Sequence, residues 1–190
     1  MTKFTQWGSR LFNLLGRSSN RLVIDRLHGE IVAAARNPAL FTVYEIEDTF
    51  EGRFESVVLH AALVLRRLRA LPAPAPDMAQ DLADALFRHF EVALREIGVG
   101  DGAVPKRMKT FAEAFLGRCL AYDEALRGGG ADDLAAVLSR NVYAGRNDGA
   151  ALAAYVTALD AALAWVPLDA FINGPVPFPE PSAIPMGVAP

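Results

Sequence analysis

The chain has 190 residues, of which 52% are apolar and 22% charged, with a net charge of −3. That balance supplies enough apolar side chains for one domain with a core, and it excludes a chain disordered throughout its length. It also argues against a protein that grips nucleic acid by its phosphates, which needs a strong basic excess, so no nucleic-acid partner is expected.

Residues 3–17 set Phe4, Trp7, Leu11, Leu14 and Leu15 at helical spacing, with Lys3, Arg10 and Arg17 as the only charges. This short basic amphipathic segment is interrupted by Gly8 and closed by Gly16. It reads as a helix docked on its own domain, which hides Trp7 from water; a membrane-surface anchor is the alternative. A second helix fits roughly residues 20–36, with Leu22, Val23, Leu27, Ile31 and Ala35 inward, and Pro38 ends it. Residues 41–47 alternate with strand propensity, but nothing else in the chain would pair with them, so an extended connection or one helical turn is expected.

Asp48 has the character of an N-cap, with Glu51 three residues on. The third helix runs to about Leu71 on a wide stripe that includes Phe54, Val57, Val58, Ala61, Val64, Leu65 and Leu68, which predicts a central helix. Arg66, Arg67 and Arg69 suit the negative end of its dipole. Residues 72–76, Pro-Ala-Pro-Ala-Pro, form a stiff linker. Asp77 with Gln80 marks the start of a fourth helix over about 78–97, with Leu82, Leu86, Phe90, Ala93 and Ile97 inward and Gly98 closing it. Pro105 opens a fifth helix, to about Leu126, that buries Met108, Phe111, Ala112, Phe115, Cys119 and Tyr122. A sixth helix fits residues 132–143, and a seventh, capped by Asp148, fits residues 149–165. The last 24 residues hold seven of the twelve prolines and two charges, and read as an extended or disordered tail of little consequence for stability. The expected fold is therefore all-α: an amphipathic helix in residues 1–17, one compact domain of six or seven helices in residues 18–166, and a Pro-rich tail in residues 167–190.

Chemistry-bearing residues are sparse. His28, His60 and His89 fall on different helices, and none has a metal-ligand spacing to another His, Cys or carboxylate. No cofactor is expected. Cys119 lies on an inward stripe and behaves as a small apolar group. The run Gly98-Val-Gly100-Asp101-Gly102 contains a G-x-G, but a helix precedes it where a dinucleotide site needs a strand, so it reads as a turn. Lys106, Arg107 and Lys109 put three cations in the first turn of a helix, against its dipole. A feature that costs stability invites a functional reason, such as an acidic partner. One cysteine, no spanning apolar run and no secretory h-region together suggest a cytoplasmic protein, peripheral at most to the inner face of the cytoplasmic membrane.

Two runs carry a resemblance. They are Asp48-TFEGRFESVVLHAALVLRRL-Arg69 and Leu86-FRHFEVALREIGVGDGAVPKRMKTFAEAFLG-Arg118, followed by Ala121-Tyr122 and preceded by the fitting stretch 31–41. Over about residues 20–125 the chain resembles the ubiquinol–cytochrome c chaperone family, most specifically in REIGVGDGAVPKRMK. The parts outside these motifs read like variable additions. The resemblance implies a binding protein without turnover that receives newly made cytochrome b during assembly of respiratory complex III. Mitochondrial members act with a small partner near the ribosomal exit; lacking a transit-peptide-like start, this chain resembles a bacterial relative, and ribosome contact is left open. The resemblance points to the start of the third helix and the 98–109 loop as the partner surface: Arg53, His60, Arg67, Asp101, Lys106 and Lys109 are the polar candidates, Phe54, Val104 and Pro105 the apolar ones, and Gly98 and Gly100 shape the loop. Phe54 and His60 also read as core residues. The competing expectations are a small-molecule or lipid pocket between the third, fourth and fifth helices, and an enzyme using His60 or His89 as acid or base.

Overall fold

A computed structural model describes the backbone of residues 5–185 and the side chains from Asn20 onward. Its elements are α1 (Thr5–Ala35), α2 (Pro38–Thr42), α3 (Phe50–Ala70), α4 (Ala75–Glu96), α5 (Val104–Gly128), α6 (Ala131–Val142), α7 (Ala150–Ala164), α8 (Leu168–Asn173) and a 3-10 turn at Pro181–Ala183. The fold is all-helical, with no strand among the described residues. The docking or anchoring of Phe4, Trp7, Leu11, Leu14 and Leu15 lies outside the described side chains. The helix backbone nevertheless runs unbroken from Thr5 through Gly8 and Gly16, where two separate helices were expected.

The wide apolar stripe of α3 has the predicted consequence. Fourteen of its twenty-one residues are buried, which requires neighbours on nearly every side. It packs against α1, α4, α5, α6 and α7. Its N-cap is Thr49, whose hydroxyl accepts from the Gly52 N–H at 3.2 Å, and not Asp48, which pairs with Arg53 instead. Gly52 is needed at that position for space: a Cβ there would lie 1.9 Å from the Glu47 carbonyl oxygen.

The preceding segment resolves into α2, with Pro38 in its first turn and Asn37 capping it, and an irregular connection in which Tyr44 and Ile46 are buried on either side of Glu45, itself at φ +59°. The periodicity slips at two places. Leu22 is 71% exposed, and Ile24 takes the inward place. Ile97 is 56% exposed because the helix ends there and Leu94 takes the buried position. The fourth helix also begins at Ala75, inside the proline run, so Asp77 sits in its first turn and does not cap it.

Between α4 and α5 the chain makes the predicted glycine turn. The Gly98 N–H bonds to the Arg95 carbonyl and the Val99 N–H to the Leu94 carbonyl, with Gly98 at φ +86°. This is a Schellman closure, and its left-handed residue favours glycine. It turns the chain so that the start of α5 lies at the same end of the bundle as the start of α3, where Phe54 stacks on Phe111 at 4.6 Å and Phe50 on Phe111 at 5.9 Å.

The Pro-rich segment is where the expectation needs most correction. Residues 174–180 are extended, but they are not loose. Leu168–Asn173 form α8, Phe171 is fully buried, and Val176 and Pro181 are buried. Arg26 of α1 donates to the Gly174 carbonyl at 2.6 Å and to the Phe171 carbonyl, while Glu30 accepts from the Val176 N–H at 2.7 Å. The Tyr44 hydroxyl donates to the Pro181 carbonyl at 2.8 Å. Prolines remove backbone donors and fix extended geometry, so the segment has no helical pattern to read. Its burial is decided by side chains of α1 and of the connection after α2, far away in sequence.

Candidate functional site

The predicted site residues divide into three places. At the start of α3 and α5, Arg53, Asp101, Pro105, Lys106 and Lys109 are exposed, as are Gly98 and Gly100. Arg53 pairs with Asp48 at 2.6 Å, and its guanidinium lies 6.0 Å from the Phe41 ring. Asp101 pairs with Arg95, which also holds Glu91 at 2.9 Å. Lys109 reaches Glu113 only at 3.9 Å, with both side chains more than two-thirds exposed. No ion pair forms to Lys106 or Arg107 among the described residues. The first turn of α5 therefore presents cations that neither its own dipole nor a close carboxylate balances. Val104 is buried and anchors this turn from beneath.

Phe54 and His60 lie in the core. Phe54 is 7% exposed and packs between Phe90 and Phe111. His60 is fully buried, so it is not part of an exposed polar surface. Its Nδ1–H donates to the Ser56 carbonyl at 2.8 Å, which leaves Nε2 to accept from the Tyr155 hydroxyl at 2.8 Å. Phe178 of the extended C-terminal segment covers the same ring at 5.7 Å. Sequence alone could not place His60, because its partner Tyr155 is 95 residues away.

Burial lowers the His60 pKa from 6.5 to about 4, with the Ser56 bond a smaller opposing cause. The unfolded chain takes up that proton near pH 6.5, whereas the folded protein resists it down to about pH 4. Stability is thus complete above pH 6.5 and falls as the pH drops through this window, by up to about 3 kcal/mol for His60. His28 and His89, whose pKa values burial also lowers, act in the same direction. Urea unfolding at pH 7.5 and pH 5 should show this loss, and His60→Gln should flatten it.

Arg67 lies apart from both groups. It is about 21 Å along α3 from Arg53 at ~1.5 Å per residue, and its Nε donates to the Val166 carbonyl at 3.0 Å. It cannot share a rim with Lys106. It belongs to a groove of about 720 Å³ between α3, α5 and α7, which also includes Arg66, Arg69 and Arg127. Sequence reading assigned Arg66, Arg67 and Arg69 to the dipole of α3, with Arg67 also a partner candidate, and missed the groove, which needs Arg127 and the exposed Leu116 and Leu120 of α5 to complete it.

Among the described residues, no three His, Cys, Asp or Glu side chains come together as metal ligands. No carboxylate hydrogen-bonds to His60 or to His89, whose ring instead packs edge-on against His28 at 5.0 Å. Cys119 is half-buried with its thiol pushed up to about 11 by burial, which makes it a poor nucleophile. The space between α3, α4 and α5, where a ligand pocket was considered, is filled by packed phenylalanines, among them Phe54, Phe87, Phe90, Phe111 and Phe115. The cleft beside them, between α1, α3 and α4, holds about 100 Å³, well under the roughly 300 Å³ of a small-molecule site. No described helix is long and apolar enough to cross a membrane.

These features define an all-helical domain with open, cation-lined surfaces in place of a closed polar cavity. The ubiquinol-cytochrome C chaperone family model matches residues 42–178. The crystal structure of the Cbp3 homolog from Brucella abortus superposes with a TM-score of 0.83 at 33% identity, covering 92% of this chain and 99% of that one. No curated protein matches. The chain belongs to the ubiquinol–cytochrome c chaperone family, whose role lies in assembly of respiratory complex III. The matched span runs past the sequence reading at its C-terminal end. It takes in α6, α7, α8 and the extended segment as far as residue 178, which are family structure and not variable additions.

Proposed function

We propose that this protein receives newly made cytochrome b and holds it, without turnover, until complex III assembly proceeds. The observation that carries the reading is the cationic start of α5. Lys106, Arg107 and Lys109 are exposed against the helix dipole, inside the run most like the family. Exposed Val92 and Ile97, 54% and 56% accessible, add apolar surface on the preceding helix. A membrane-protein client offers apolar helices and charged loops, and a surface of this composition matches both. Arg53 stands at the same end of the bundle and extends the cationic surface, with Gly98, Gly100 and Asp101 shaping its loop and Val104 and Pro105 fixing the turn. Work at the inner face of the cytoplasmic membrane, with a surface contact through residues 3–17, would bring the chaperone to such a client.

The test is recovery of cytochrome b from detergent extracts on the tagged full chain, at low and high ionic strength. Lys106→Glu with Lys109→Glu should leave folding within about 0.5 kcal/mol, because both side chains are exposed. Recovery should fall, and what remains should depend less on salt. Undiminished recovery by a normally folded double variant would remove this surface from the client site.

A further inference from the structure

The groove between α3, α5 and α7 combines apolar side chains with more cations than its own carboxylates balance. Its volume is about 720 Å³. On one wall Leu116 and Leu120, one turn apart on α5, are 54% and 71% exposed. The floor is made by small or apolar side chains, with Ala62 and Leu163 buried beneath it. Trp165, 90% exposed, follows the lining residue Ala164 directly in the chain. An exposed tryptophan, like exposed leucines beside arginines, is costly to leave in water and typical of interface anchors.

The charges identify the occupant. Arg66, Arg67, Arg69 and Arg127 line the groove with only Asp123 and Asp160 to oppose them. Arg66 spans both carboxylates, at 2.9 Å and 2.6 Å, and Arg127 shares Asp123. Arg67 is held by a backbone carbonyl, and Arg69 forms no ion pair among the described residues. Four guanidinium groups against two carboxylates leave an excess of two positive charges around an apolar floor. From Leu116 to Arg127 the groove follows α5 for about 16 Å, or roughly three helical turns.

We propose that this groove docks a short amphipathic helix of the client that carries leucine-like side chains on one face and carboxylates beside them. Its apolar face meets Leu116, Leu120 and Trp165, and its carboxylates meet Arg67 and Arg69. This rests on the reading of the protein as a client-binding chaperone and adds a second docking place, at the opposite end of α3 from the cationic start of α5. A helix fits better than a flat lipid surface because the groove is concave and long in one direction.

The test uses the full chain carrying Trp7→Phe, which leaves Trp165 as its single tryptophan. The probes are two synthetic amphipathic peptides of about twelve residues, one of leucine and glutamate and one of leucine and lysine. The leucine–glutamate peptide should move Trp165 emission to shorter wavelength, and the leucine–lysine peptide should not at the same concentration. Leu120→Glu should weaken the first binding at least tenfold and Leu120→Ala less, with the circular dichroism spectrum unchanged because Leu120 is exposed. Absence of any shift with the leucine–glutamate peptide overturns the proposal, as does a shift indifferent to Leu120→Glu. A shift produced by phosphatidylglycerol vesicles but not by the peptide also overturns it and assigns the surface to lipid. Cytochrome b recovery separates the two readings. If parent and Leu120→Glu recover it equally, the groove proposal fails while the chaperone reading stands. If the parent recovers none but the peptide response is intact, the groove still docks a helix and the client reading fails.

Discussion

Truncating the chain after Pro167 should lower its stability by more than about 4 kcal/mol, a fall in melting temperature of roughly 10 °C or more. Phe171 is fully buried, and loss of one such ring costs about 3–5 kcal/mol by itself. Val176 and Pro181 go with it, and the buried Tyr44 hydroxyl loses its acceptor. Arg26 and Glu30 also lose their backbone partners, but both sit near the surface and water replaces those bonds at little net cost. A second readout follows from Phe178. With that ring gone from over His60, the imidazole gains access to water, its pKa returns toward 6.5, and the acid sensitivity of the folded protein shrinks. Thermal melts at pH 7.5 and pH 5 report both effects. A truncated chain that melts within a few degrees of the parent would show that the segment carries no load.

The long helices were legible because their apolar residues recur every three or four positions and their ends carry local chemistry. α6 and α7 were bounded to within about a residue, and the Gly98 turn was readable because a left-handed closure needs that residue type. What stayed hidden depended on groups distant in the chain. The docked segment has no period, and the arginine that holds it is 148 residues from Gly174. Thr49 and Asp48 are both good caps on composition, and only the pairing of Asp48 with Arg53 decides between them. The candidate site divides in the same way. The cations of the α5 start are visible as a local conflict with the dipole, whereas the burial of His60 and the separation of Arg67 from Lys106 follow from the tertiary arrangement. The groove was least legible of all, since its arginines, leucines and carboxylates come from three helices.

α5 joins the two surfaces. Its first turn supplies Lys106 and Lys109, and its middle supplies Leu116 and Leu120. Besides the Arg66–Asp123 pair, α5 is tied to the core of α3 by the pair Glu55–Arg118. Glu55 is only 7% exposed, and its carboxylate receives Arg118 Nε at 2.7 Å and Nη2 at 2.6 Å. The bidentate geometry fixes the rotation of α5 about its axis, and so decides which residues face outward on either side.

Arg118→Ala should therefore destabilise the fold by about 3–5 kcal/mol, because it leaves a buried carboxylate without a partner. The pH dependence of that loss identifies its cause. Burial raises the Glu55 pKa in the parent, with Arg118 opposing the shift. A raised carboxyl pKa gives a contribution that is present below the unfolded value and lost as the pH rises through the folded one. Removing Arg118 takes away the opposing influence and moves the folded value higher still. The gap between parent and variant should thus be widest near pH 7.5 and narrow at pH 5, where Glu55 can enter the core protonated. Glu55→Gln combined with Arg118→Leu removes the buried charge and should recover most of the loss. Urea unfolding of the parent, the single and the double variants at the two pH values checks this. A loss equal at both pH values would assign the effect to packing of the arginine stem. If the tie does orient α5, the single variant should also recover less cytochrome b under conditions where it remains folded, and the double variant, which restores stability without the bidentate lock, should recover it only in part.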